Sequence, residues 1–148
     1  MKRQYKHLGW VLLAVSSSAC SEPDVSIIDG GRLCVYGAAP AAPGSHGPPQ
    51  AFVTDQPITV TVSTEDCISV CVQDEVATCS VSLAGTTLTV RSELSYDEPP
   101  EGEGCIALCG SLTAVCESPP LPMGDYTIAH GDDRRSLAVP STDVPPCG

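Results

Sequence analysis

The sequence predicts an all-β fold, a small antiparallel β-sandwich stapled by disulfides, and three observations carry that expectation. Beyond position 57 apolar residues recur with period two in runs rich in Val, Ile and Thr, the mark of half-buried strands. Such runs follow one another at short intervals with turn-forming Gly and Pro between them, and no sustained helical period interrupts them. Nine cysteines occur in 148 residues, eight of them after position 20, an even set that can pair completely.

Residues 1–19 stand apart from that domain. Lys2, Arg3 and Lys6 precede an apolar run from Leu8 to Val15 and then the small residues Ser16, Ser17, Ser18 and Ala19, the three-part plan of an export signal that inserts as a helix. The eight apolar positions fall short of the roughly 20 needed to span a bilayer.

Ser17-Ser18-Ala19-Cys20 resembles the lipobox of bacterial lipoproteins, which is cut immediately before its cysteine. The family prefers Leu where Ser17 stands, and an ordinary signal peptidase could use the same small residues, so simple secretion is the alternative. The resemblance implies that Cys20 carries a lipid and that a membrane is the first partner. It also implies the outer membrane, because Ser21 replaces the Asp of an inner-membrane retention signal. With its paired cysteine triplets the chain is similar to uncharacterised cysteine-rich bacterial lipoproteins, a likeness that brings no functional residue beyond Cys20.

Without residues 1–19 the basic residues are Arg32, Arg91, Arg134 and Arg135 against eighteen acids, four minus eighteen, a formal charge of −14. Nucleic-acid recognition needs Lys and Arg to neutralise phosphates, so no nucleic acid is expected as a partner; the acidity serves solubility. Tyr36, Phe52, Tyr96 and Tyr126 are the remaining aromatics, so the core must be built from small aliphatic side chains at about 1.5 to 3 kcal/mol each. Disulfides at about 2 to 4 kcal/mol apiece then carry much of the stability, and export to an oxidising compartment makes them possible.

The expected organisation is a tether at 20–30 and one cysteine-rich β domain at 31–148. The segment Arg32 to Tyr36 is apolar, and the proline-rich stretch 37–50 is an extended surface loop. Ile58, Val60 and Val62, then Cys79, Val81 and Leu83, then Leu88 and Val90 alternate with Ser or Thr, three half-buried strands. Gly85 in Ala84-Gly85-Thr86 can take the positive φ of a hairpin turn. Tyr126, Ile128 and His130 continue the pattern, and Leu137 and Val139 form a last strand across the polar turn 131–134. The chain lacks the core Trp of immunoglobulin domains.

Cysteines also repeat as a triplet, Cys67-x3-Cys71-x7-Cys79 and Cys105-x3-Cys109-x6-Cys116, each followed by a Leu, a Gly and an alternating strand. Two copies of one β unit are expected, with Pro119, Pro120 and Pro122 excluding a central strand in the second. In a strand Cys67 and Cys71 would stand about 13 Å apart at roughly 3.3 Å per residue, far beyond bonding reach. They must pair elsewhere, as must Cys105 and Cys109. A pairing within each triplet plus bonds between triplets is the preferred expectation, with Cys34 and Cys147 clasping the two ends.

The x3 spacing within an exported β chain speaks for disulfides and against zinc, so no metal or cofactor is expected. His46 and His130 are lone histidines, the first in the proline-rich loop. The acidic loop Asp97 to Glu103 offers oxygen ligands without the alternating register of a calcium loop. No nucleophile elbow, phosphate loop or zincin motif is present, so the chain is not expected to be an enzyme. Two functions remain: an anchored, non-catalytic binding or structural module presenting its loops to a protein or glycan, or a disulfide-rich protease inhibitor using Arg134-Arg135-Ser136 near a hairpin tip.

Overall fold

A computed structural model describes residues 24–37, 51–99, 108–143, 145 and 147–148. Ten strands are present among them: β1 (Val25–Ile28), β2 (Arg32–Tyr36), β3 (Thr59–Ser63), β4 (Ile68–Ser69), β5 (Gln73–Ala84), β6 (Thr87–Asp97), β7 (Cys109–Gly110), β8 (Thr113–Glu117), β9 (Gly124–His130) and β10 (Asp133–Val139). The expected signal segment, Cys20, all but Gly37 of the expected loop at 37–50 and most of the expected acidic loop lie outside the described residues.

Two sheets face each other, as period two requires. In the larger, β6 is the spine: β5 pairs along one side, while β1 and β9 share the other, and β10 pairs with β9. The smaller sheet has the order β2-β3-β8. Leu33, Val35, Val60, Val62 and Ala114 from one sheet pack against Leu88, Val90, Leu94, Tyr126, Ile128 and Leu137 from the other. Their partners in the alternation, mostly Ser and Thr, face outward: Thr78, Ser80 and Ser82 on β5 and Thr59, Thr61 and Ser63 on β3. The aliphatic core and the hairpin both arise where the alternation places them, with Gly85 at φ 59° in a two-residue turn between β5 and β6.

Four expectations change. The sandwich is not purely antiparallel, because β9 runs parallel to β6 over Thr87↔Thr127 to Val90↔His130. The tether is sheet from Val25 onward, since β1 pairs with β6 through Val25↔Tyr96 to Ile28↔Glu93; a four-residue strand is too short for alternation to announce. The last turn is tighter than expected: Asp133 pairs with His130 and Arg134 with Ala129, so both arginines belong to the strand. The two cysteine units also differ, Cys79 and the strand after it forming the long β5–β6 hairpin of one sheet, while Cys116 lies on β8 in the other sheet from the strand that follows it, β9. As the prolines require, 118–122 is no strand, and Leu121 makes only an isolated bridge to Gln56.

Candidate functional site

Sulfur chemistry defines the first group of site residues. Cys34 bonds Cys147, Cys67 bonds Cys109 and Cys79 bonds Cys116, with Cα separations of 4.5, 5.2 and 5.6 Å. The clasp between Cys34 and Cys147 agrees with expectation, whereas pairing within a triplet does not occur in the first. Cys67 and Cys79 both bond into the second triplet, so the disulfide of Cys71 also lies outside its own triplet. The reason is topological: β4 and β7 pair antiparallel, bringing Ser69 opposite Cys109, and β8 lies over β5 across the sandwich. Cys105 and Cys20 lie outside the described residues. Disulfides in this number are consistent with an extracytoplasmic location.

The second group sits where β1 and β9 meet end to end along β6. At that junction neither strand supplies a regular partner for Ser92, and Asp29 does so instead. Its backbone N–H donates to the Ser92 carbonyl at 2.9 Å, and its carboxylate accepts the Ser92 N–H at 3.0 Å. Asp29 adopts φ 50° to make both bonds, a left-handed conformation that Asp tolerates better than most residues. The other carboxylate oxygen takes a hydrogen bond and ion pair from Arg91. The Ser92 N–H and then Arg91 hold the Asp29 carboxyl below its usual range.

Below that seam, Ser92 Oγ and His130 Nε2 lie 2.8 Å apart. Burial holds the His130 imidazole below its ordinary value, against the opposing pull of Asp29 and Asp133. The spacing is that of a nucleophile and its base, but Ser92 and His130 are only 5 and 4 % exposed. Both point inward with Val90, Leu94 and Ile128. The pair therefore satisfies two polar groups at the core edge. Gly131, at φ 53°, passes so close to the Asp29 carbonyl that a Cβ would collide with it, so this junction depends on that glycine.

The arginines of the alternative inhibitor reading lie at the start of β10. Arg135 binds Asp133 through Nε at 2.6 Å and donates through Nη1 to the Leu33 carbonyl at 3.1 Å, which ties β10 to β2 beside the Cys34–Cys147 clasp. Arg134 and Ser136 pair with Ala129 and Thr127 in the ladder that follows the β9–β10 turn. A cavity of about 360 Å³ opens at one end of the sandwich, with Val25, Ile27, Ile68 and Tyr96 against Glu65 and Asp66.

Sequence reasoning found the cysteines and the strand holding His130 but missed Asp29, Arg91 and Ser92. Only the meeting of β1 and β9 gives those three a shared role; Asp29-Gly30-Gly31 was the available turn signal. Compared with family models, curated proteins and solved structures, the chain matches none.

Proposed function

We propose that the chain is an extracytoplasmic lipoprotein, anchored through Cys20 to the outer membrane, whose β-sandwich serves as a non-catalytic binding or structural module for a protein or glycan. The observation that carries this reading is the cross-linked architecture itself: three described disulfides in one small β domain suit an oxidising compartment, where such bonds form and persist. The export signal and the cysteine at its scission point supply the route and the anchor. A rigid, clasped sandwich suits recognition by projecting loops, because little ordering entropy remains to be lost on binding.

Intact mass of the protein extracted from membranes, before and after reduction, tests the assignment. The expected species starts at Cys20 with a diacylglyceryl and an acyl increment and gains eight protons on reduction. Cys20→Ser should release the folded domain into the soluble fraction. An unmodified N-terminus, or membrane retention of the Cys20→Ser protein, would remove the anchor from the reading.

A further inference from the structure

We propose that the outer edge of β5 is a self-association surface, on which a second copy of this chain adds its own β5 antiparallel across a two-fold axis at Ser80. A sandwich of two open sheets has two flanks that need covering, and this one covers them unequally. On one flank the C-terminal segment closes the gap. Gly148 and Leu33 exchange backbone hydrogen bonds of 3.2 and 2.7 Å, Cys147 bonds Cys34, and Arg135 reaches the Leu33 carbonyl. On the other flank the sheets are stitched by Cys79–Cys116, and among the described residues β5 pairs with β6 alone. No hydrogen bond joins the outer edge of Val76–Ala84 to any described residue.

The hairpin fixes which groups are free. A two-residue turn makes Ala84 and Thr87 a hydrogen-bonded pair, so alternation directs the N–H and C=O of Ser82, Ser80 and Thr78 to β6. Those of Leu83, Val81, Cys79 and Ala77 point to the open edge. Edge strands of this length are normally guarded by Lys, Pro or an inward charge, yet Val76 to Ala84 contains none of these. In so acidic a chain, that leaves a stretch on which two copies can meet without like charges in register.

Charge then selects the register. Pairing centred on Ser80 sets Thr78 opposite Ser82 of the other copy, Cys79 opposite Val81 and Ala77 opposite Leu83. About eight backbone hydrogen bonds form, two for each of the four outward-bonding pairs. Asp74 and Glu75 then face the partner's turn at Thr86 and Gly85 and not its own acids. Registers centred near residue 75 would oppose carboxylates directly, which is unfavourable. The axis also passes close to Cys79, whose bonded partner Cys116 follows Val115, an apolar residue left 64 % exposed.

Light scattering of the oxidised Cys20→Ser protein across a concentration series tests this without a lipid adding its own association. The expected result is a concentration-dependent dimer of twice the chain mass. Ser80→Glu, on the solvent face and opposite itself at the axis, should raise the dimer dissociation constant by roughly two- to fivefold, and Ser80→Lys should do the same. Mixing the two variants should restore a heterodimer, which also shows that both fold. A monomer at every concentration, a dimer indifferent to both substitutions, failure of the mixture to associate, or a monomer that instead captures an unrelated extended peptide would each overturn the proposal.

Discussion

Replacing Cys34 and Cys147 together by alanine measures how far the covalent clasp holds this domain. The two cysteines are 113 residues apart, but the effective loop is shorter because Cys67–Cys109 offers a shortcut. From Cys34 to Cys67 is 33 residues and from Cys109 to Cys147 is 38, so about 70 residues lie in the loop that the clasp closes. Chain-entropy arithmetic gives such a loop about 4.4 kcal/mol at 25 °C. That is a large fraction of the roughly 5 to 15 kcal/mol typical of a whole domain. Guanidinium unfolding followed by far-ultraviolet circular dichroism should show a midpoint lowered by roughly 1.5 M, taking a slope of about 3 kcal/mol/M. The slope should also rise, because the unfolded chain expands. Hydrogen exchange at Leu33 and Gly148, which hold each other's backbone groups, should accelerate first. A loss below about 1 kcal/mol with unchanged slope would refute the idea that the clasp acts by confining the unfolded chain.

Other perturbations probe the interior and the junction. Leu88→Ala empties a site with no solvent exposure between the sheets and should cost about 2 to 5 kcal/mol in the same unfolding assay. Gly131→Ala forces a Cβ onto the Asp29 carbonyl at positive φ, for an expected loss of about 1 to 3 kcal/mol; an unchanged midpoint would show that the junction yields. Burial depresses the folded value of His130 below its ordinary 6.5, so the unfolded chain binds the extra proton more readily. Its contribution should be complete above about pH 6.5 and should fade as pH falls through the folded value. Asp29, likewise depressed from 3.8, adds a second acid loss below that. Stability measured from pH 8 to 3 should therefore fall in two stages, and His130→Gln should flatten the upper one. Peptide mapping under non-reducing conditions should recover Cys34–Cys147, Cys67–Cys109 and Cys79–Cys116.

Local chemistry made much of this fold legible beforehand. Ile58, Val60 and Val62, or Leu88 and Val90, alternate with Thr and Ser because a strand turns successive side chains to opposite faces, so the buried set follows from order alone. Gly85 marks its turn because positive φ costs it nothing, and the prolines at 119, 120 and 122 forbid a central strand because they lack the donor. An even cysteine set after position 20 likewise follows from residue count. Which strands become neighbours was decided in three dimensions: the parallel seat of β9 beside β6, the recruitment of Val25–Ile28 into the sheet, and the crossing of disulfides between triplets. Each depends on contacts among residues tens of positions apart, where period and propensity carry no information. Asp29 and Ser92 became partners for that reason alone, since only where two strands end against the same edge does a backbone N–H need a carboxylate to complete its ladder.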